Sequence, residues 1–323
     1  MESDSRRDFL RGALAGAAAL TAGRLDAATQ KVDRRKLGRA GVEVPILGLG
    51  LGTFFTEAYG RDRNAAYEVL SVGLQLGASY FDTANAYGPS QELIASIVKQ
   101  YRERIFLVSK SSQRGYQGFK RELQQSLKTL GTDHLDLFHI HSLEPKDDLG
   151  AVERGALKAA LEARKAGQIR LLGVTGHSGA KVLIDAVKQF NPDVLMTVLS
   201  AERRDEGRYE DQLLPLALKQ GVGVVAMKAV AFGWRNGLKP PELIRYALSL
   251  KGVSSAVVGL QSQTQLLQNA ALCRGFQPLT RRQQARYAEQ AQALRGDLPA
   301  PFERPTYRDG RPEPEHFDPP PEA

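Results

Sequence analysis

The sequence predicts an α/β protein folded as a (β/α)8 TIM barrel with an N-terminal hairpin and an extra C-terminal helix. Three observations predict it. Between Ile46 and Cys273 the periodicity switches eight times between a short apolar run and a longer helical pattern, as parallel strands joined by crossover helices require. Eight units over roughly 230 residues suit a closed barrel better than an open doubly wound sheet. A hydrophobic fraction of 42% in 323 residues supplies enough apolar side chain for one large core.

The apolar runs are Ile46–Leu51, Ser79–Phe81, Ile105–Val108, Leu135–Ile140, Ile169–Val174, Val194–Leu199, Val222–Met227 and Ala256–Val258. Helical spacing follows them at Asn64–Leu76, Gln91–Tyr101, Lys120–Leu130 and Gly155–Ala166, among others. Ahead of the first strand, Arg35–Leu37 and Val42–Pro45 flank the turn-like Gly38-Arg39-Ala40-Gly41, a hairpin expected to close the barrel bottom. Behind the last unit, Thr280–Leu294 reads as an amphipathic helix with a Thr cap, packed outside the barrel. The chain therefore divides into a leader (1–28), a barrel (33–296) and a tail (297–323).

The leader runs Ser5-Arg6-Arg7-Asp8-Phe9-Leu10-Arg11, then Gly12 to Leu20, which is Ala- and Gly-rich. A charged start before a short, mildly apolar stretch is a secretory pattern. It resembles the twin-arginine export signal, with Arg11 where lysine is more usual. The resemblance implies engagement by the twin-arginine translocase, cleavage between Gly23 and Ala28, and a periplasmic or otherwise exported product. A basic amphipathic leader is the alternative. The stretch is too short and too Ala/Gly-rich for a stable membrane span across a hydrocarbon core of roughly 30 Å. The tail holds eight of the sixteen prolines and reads as extended or disordered chain.

The formal net charge is +8. Residues 1–40 carry nine Lys/Arg against five Asp/Glu, and residues 297–323 carry three against seven, so the two ends cancel. The body is mildly basic, which suits an anionic small ligand such as a nucleotide phosphate. A basic run interleaved with aromatics is absent, so nucleic acid is not an expected partner. With one cysteine, Cys273, neither a disulfide framework nor a multi-thiolate metal site is available. Cys273 is expected to pack in a helix.

Barrel enzymes carry their chemistry at the C-terminal ends of strands. Asp82 ends Ser79-Tyr80-Phe81-Asp82, Lys110 ends the run from Ile105, and His141 ends Leu137-Phe138-His139-Ile140-His141. Tyr87 follows Asp82 by five residues. Three consecutive strands thus bring an acid, a base and an imidazole to one rim, beside a phenol. Singly, each has an ordinary structural reading: a charged strand end is often a solvated cap, and a tyrosine often packs. Together they suit carbonyl reduction. Hydride attack on C=O builds negative charge on oxygen that must be protonated, and an ammonium beside a phenol favours proton release. Asp82 is placed to hold Lys110, and His141 to orient the carbonyl oxygen.

Phe81-Asp82-Thr83-Ala84-Asn85-Ala86-Tyr87-Gly88 resembles the D-T-A-x-x-Y-G signature of the aldo-keto reductase superfamily. The resemblance extends over Lys36 to Leu272 and includes Gly48-Leu49-Gly50-Leu51-Gly52-Thr53. It implies the barrel fold, Tyr87 as general acid with Asp82, Lys110 and His141 as partners, a small carbonyl substrate, and NADP(H) as cofactor with NAD(H) as the alternative. No metal is implied. Val225-Ala226-Met227-Lys228 is similar to a branch with iron–sulfur clusters, which one cysteine cannot ligate.

On the cofactor side, the resemblance assigns Gly52, Thr53, Thr175, Gly259, Gln265 and Asn269, while Lys228, at the end of the seventh strand, reads either as a phosphate partner or as an ordinary strand-end lysine. Gly259 to Asn269 resembles the family's G-x-S-x-x-x-Q-x-x-x-N stretch, and its strand-to-helix turn is a natural phosphate site. Ser262 stands where the family often has Arg or Lys for a 2′-phosphate. Gly176 replaces an expected asparagine, and His177 after it either substitutes for that asparagine or, the favoured reading, caps the following helix. Met196 and Leu199 stand where a glutamine and a nicotinamide-stacking aromatic are expected, leaving Phe232 or Trp234 as substitutes. Two rival functions use the same residues. One is a non-catalytic nucleotide-binding barrel acting as a regulatory or assembly subunit. The other is a lyase or isomerase using Lys110 as a Schiff-base nucleophile. An exported reductase also implies a nucleotide bound tightly before export.

Overall fold

The computed structural model describes residues 30–177, 179–203, 208–230, 239–294 and 309–310. The leader, Phe232, Trp234 and most of the tail lie outside them.

A two-stranded antiparallel hairpin opens the fold, β1 (Arg34–Lys36) against β2 (Glu43–Pro45), around a 3-10 turn at Gly38–Ala40. Eight parallel strands then close on themselves: β3 (Leu47–Gly50), β4 (Tyr80–Asp82), β5 (Phe106–Ser111), β6 (Leu135–Ile140), β7 (Ile169–Gly176), β8 (Val194–Val198), β9 (Gly223–Met227) and β10 (Val253–Gly259). Each pairs with its neighbours in chain order, and β10 pairs back onto β3. The predicted barrel and hairpin are both present.

Strand alternation sorts the side chains into two cores. Tyr80, Val108, Leu137, Met196 and Val225 fill the barrel interior, while Leu49, Phe81, Phe138 and Val174 face the surrounding helices. Leu37 and Val44 of the hairpin join the interior cluster. Arg39 N–H donates to Gly221 O at 2.6 Å, and Ser254 Oγ to Lys36 O at 2.9 Å. The hairpin therefore covers the N-terminal end of the barrel, and the opposite end is left for chemistry.

The helices follow the apolar stripes, with differences at their ends. Helix α1 (Thr53–Tyr59), not anticipated, follows β3 directly. Asp62 caps α2 (Arg63–Gln75), its side chain accepting from the Asn64 and Ala65 N–H groups. Helix α3 (Ser90–Tyr101) is close to its predicted span, whereas α4 (Tyr116–Leu130) begins four residues before Lys120. The helix expected from Gly155 begins at α5 (Leu149–Val152) behind an Asp148 cap, and passes through a π turn (Glu153–Leu157) into α6 (Lys158–Lys165). In that turn Ala156 N–H donates outward to Arg114 O at 2.8 Å. A Cβ at Gly155 would lie 2.3 Å from the same oxygen, so the glycine permits the contact.

Helices α7 (Ala180–Phe190), α8 (Leu214–Lys219), α9 (Pro240–Ser249) and α10 (Gln263–Leu272) complete the ring. Cys273 is buried at the end of α10, and burial pushes its thiol up to about 12. The extra helix α11 (Arg281–Leu294) opens with the expected Thr280: its hydroxyl accepts from Gln283 N–H at 3.3 Å, and Gln283 Oε1 accepts from Thr280 N–H at 2.8 Å. Among the described residues no helix is long and apolar enough to cross a membrane.

Candidate active site

The inward face of consecutive strands is apolar at depth and polar at the top. Tyr80 gives way to Asp82 on β4, Val108 to Lys110 on β5, and Leu137 to His139 and then His141 along β6. A spacing of two keeps each pair on one face, so the pattern that builds the core also delivers Asp82, Lys110 and His141 to one end. Tyr87 is held by its loop. Asn85 Nδ2 donates to Lys110 O (3.2 Å), Glu122 O (3.0 Å) and Ser126 Oγ (2.7 Å). Tyr87 N–H donates to Ala84 O at 3.2 Å, and Gly88 takes φ +51° to turn the chain away.

The four side chains converge. Lys110 Nζ donates to Asp82 Oδ2 at 2.6 Å, to Thr83 O at 2.9 Å and to Tyr87 OH at 3.3 Å. It also lies 4.6 Å from the centre of the Tyr87 ring. The Tyr87 and His141 rings meet edge to face, 5.8 Å apart. Lys110 and Asp82 are buried at 1% and 3% exposure, so neither charge is tolerable without the other. Burial raises the Asp82 carboxyl above its ordinary value, with Lys110 opposing it. Burial lowers His141 below 6.5, which keeps its ring neutral. Ser112 Oγ is 3.3 Å from His141 Nδ1; with the hydroxyl donating there, the ring proton resides on Nε2.

Three residues at this site went unrecognised in the sequence, and one was misread. His177 does not cap the next helix, whose cap is Gly179. It turns inward, with Nδ1 3.2 Å from Ser142 Oγ, and burial lowers it to about 3. Ser112 and Arg114 line the loop after β5, Arg114 donating to His141 O at 2.8 Å and pairing with Asp147 at 2.7 Å. The third unrecognised residue is Asp309, from the segment expected to stand apart as tail. Its Oδ2 is 2.8 Å from His141 Nε2 and accepts from Tyr87 OH at 3.0 Å. Its Oδ1 is 3.4 Å from Lys228 Nζ. Burial opposes its ionisation, but Lys228, His177 and His141 outweigh that and hold the carboxyl well below the usual range. The only sequence signal was an Asp-Gly pair inside a proline-rich stretch.

The residues assigned to the cofactor are spread along the rim. Gly52 faces Tyr87: a Cβ there would lie 3.3 Å from its ring. Thr53 starts α1. The Thr175 hydroxyl accepts from Ser142 N–H at 2.7 Å, fixing a residue with φ +54°. A side chain at Gly176 would meet Leu143 O at 2.8 Å, which leaves no room for the expected asparagine. Lys228 faces Asp309, inside the Tyr87–His141 cluster. Gly259 ends β10, and Gln265 and Asn269 lie on α10, whose Ser262 cap accepts from Gln265 N–H at 3.2 Å. Gln265 Nε2 donates to Gln261 Oε1 at 3.4 Å, one turn back in the same segment. Met196 packs inside the barrel, but Leu199 faces the helix layer, away from the rim interior. Among the described residues no group of three or more His, Cys, Asp or Glu is placed to hold a metal ion.

Comparison with known proteins adds to this geometry. Residues 46–243 match the model of the aldo/keto reductase family. An uncharacterized oxidoreductase of Bacillus subtilis is 28% identical over 215 residues, covering 62% of this chain and 65% of its relative. The L-galactose dehydrogenase of Arabidopsis thaliana is 24% identical over 286 residues, covering 75% and 88%. The chain thus spans just under two thirds of the first relative's length and most of the second's. Among solved structures, an aldo-keto reductase from Pseudomonas aeruginosa superposes with a TM-score of 0.65 at 26% identity, covering 76% of this chain and 96% of that one.

Proposed function

This chain belongs to the aldo/keto reductase family and is an NAD(P)H-dependent oxidoreductase, and from that premise we propose that it reduces aldehydes or ketones to alcohols with Tyr87 as the proton donor. One observation carries the reading. Tyr87 OH and His141 Nε2 both lie within hydrogen-bonding distance of a single point, now held by Asp309 Oδ2 at 3.0 and 2.8 Å. A carbonyl oxygen needs such a point, with two donors converging on it.

The residues divide the work. His141, neutral, donates through Nε2–H and orients the carbonyl without protonating it. As charge builds on the oxygen, Tyr87 passes its proton to it, and the alcohol results. Lys110 faces the phenol oxygen left behind and stabilises it, while Asp82 fixes the ammonium at 2.6 Å. When bound, NAD(P)H supplies the hydride. The chain's residues fit such a nucleotide: α10 has no acidic residue in its first turn and carries the Ser262 cap, a geometry suited to phosphate. Gly52, Thr53, Thr175, Gly259, Gln265 and Asn269 are the residues we assign to it. Lys228 serves as a further cation. NADP(H) is the assigned nucleotide, and NAD(H) the alternative.

The test is nicotinamide consumption with a panel of aldehydes, supplying NADPH or NADH, for wild type and Tyr87→Phe. General acid catalysis contributes roughly 10²–10⁴-fold, so the variant should lose that much kcat/KM while its nucleotide Kd stays within about twofold. Wild type and variant equally inert, both binding nucleotide, would instead favour the regulatory or assembly reading. For Ser5 to Arg11, we propose export through the twin-arginine translocase.

A further inference from the structure

We propose that this protein carries its own active-site ligand: the Asp309 carboxylate occupies the seat of the substrate oxygen and must leave before a carbonyl compound can bind. The inference rests on the reductase reading and adds a regulatory device to it.

The exclusion is a matter of donor count. Tyr87 has one O–H and neutral His141 one Nε2–H to give, and Asp309 Oδ2 takes up both at 3.0 and 2.8 Å. A substrate oxygen needs the same two protons at the same place, so the two occupants are alternatives. The carboxylate is seated rather than grazing. Its side chain is 8% exposed, its Oδ1 lies 3.4 Å from Lys228 Nζ, and His177 Nε2 lies 3.8 Å from Oδ2. An anion so buried is costly unless cations and donors surround it, and here they do.

A second observation is independent of charge. Gly310 takes φ +84°, and a Cβ there would fall 2.4 Å from Ala86 O and 2.5 Å from Tyr87 Cδ1. Only glycine lets the backbone lie this close to the Tyr87 loop. The Asp-Gly pair therefore matches the pocket twice, in charge and in shape. As a tethered group, the carboxylate acts at a high effective concentration, so a substrate must outcompete it or bind when it is away.

The experiment compares full-length wild type, Asp309→Ala and Gly310→Ala. With NADPH and one small aldehyde, both variants should show kcat/KM raised about tenfold or more, through a lower KM at similar kcat. Acetate, which copies the Asp side chain, should inhibit Asp309→Ala competitively against the aldehyde and wild type at least tenfold less. The contact itself is read without turnover, from the imidazole 1H–15N signals of the chain's five histidines. Asp309→Ala should shift the His141 and His177 signals, and acetate should return them toward wild type. Superimposable histidine spectra, or kcat/KM unchanged or reduced in Asp309→Ala, would overturn the proposal. A clear shift in the histidine signals with no carbonyl reduced by any form would support the contact and overturn the reductase reading instead.

Discussion

At the scale of single residues, the site is an exercise in burying polar groups together. His139, His141 and His177 are all buried, and burial lowers each below its ordinary value, His177 to about 3. The sign follows from linkage. An unfolded histidine takes up a proton below about 6.5 while the folded one does not. Their contribution to stability is therefore complete above that pH and is lost as pH falls. For His177 the loss approaches about 1.4 kcal/mol per pH unit below that pH. For His177 the window runs from about 6.5 down to about 3. Urea unfolding at pH 7, 6 and 5 should show this decline, and His177→Gln should show a shallower one. Equal slopes would mean that His177 is protonated in the folded chain.

Residues also mark where the sequence stopped being legible. Asp82, Lys110, His141 and Tyr87 were readable because each stands at or just beyond the end of a recognisable strand. His177 was not, because a polar residue two before the Gly179 cap looks the same whether it points to solvent or turns inward. Asp309 was invisible for a stronger reason. Its contacts, to Tyr87, His141 and Lys228, span 81 to 222 positions of sequence, and no local pattern reports a contact of that range.

At the scale of elements, the strands were legible because apolar runs buried on both faces leave little else to build; Leu135–Ile140 is β6 residue for residue. Helix starts were not. The helix expected from Gly155 starts six residues earlier, at Leu149, because Asp148 caps that turn and the Arg114 carbonyl lies against the glycine within it. Helix α1 escaped because it follows β3 so closely. Glycine explains another departure inside the barrel. A Cβ at Gly173 on β7 would lie 2.1 Å from His139 Nδ1 on neighbouring β6, so the glycine makes room for the second imidazole. Gly173→Ala should destabilise the barrel by about 1–3 kcal/mol through overpacking, measured by denaturant unfolding. His139→Ala in the same chain should recover part of that loss. No loss in Gly173→Ala would show that β6 and β7 yield freely.

At the scale of the whole molecule, one barrel is closed at its N-terminal end by a hairpin, while its other end gathers the reactive side chains. The proposed export adds a constraint, since the twin-arginine route carries proteins already folded. Replacing Arg6 and Arg7 with lysine should abolish the exported fraction in cell fractionation; an unchanged distribution would remove the export proposal and leave the barrel's chemistry untouched. The central claim is carbonyl reduction with Tyr87 as proton donor. Its most direct measurement follows deuterium from nicotinamide labelled at its transferable hydrogen into product, by mass spectrometry, for wild type and Tyr87→Phe. The wild-type alcohol should carry one deuterium on its carbinol carbon, and the variant's yield should be lower by about 10²–10⁴. Unlabelled alcohol, no alcohol from wild type, or equal labelled yields from both would contradict it.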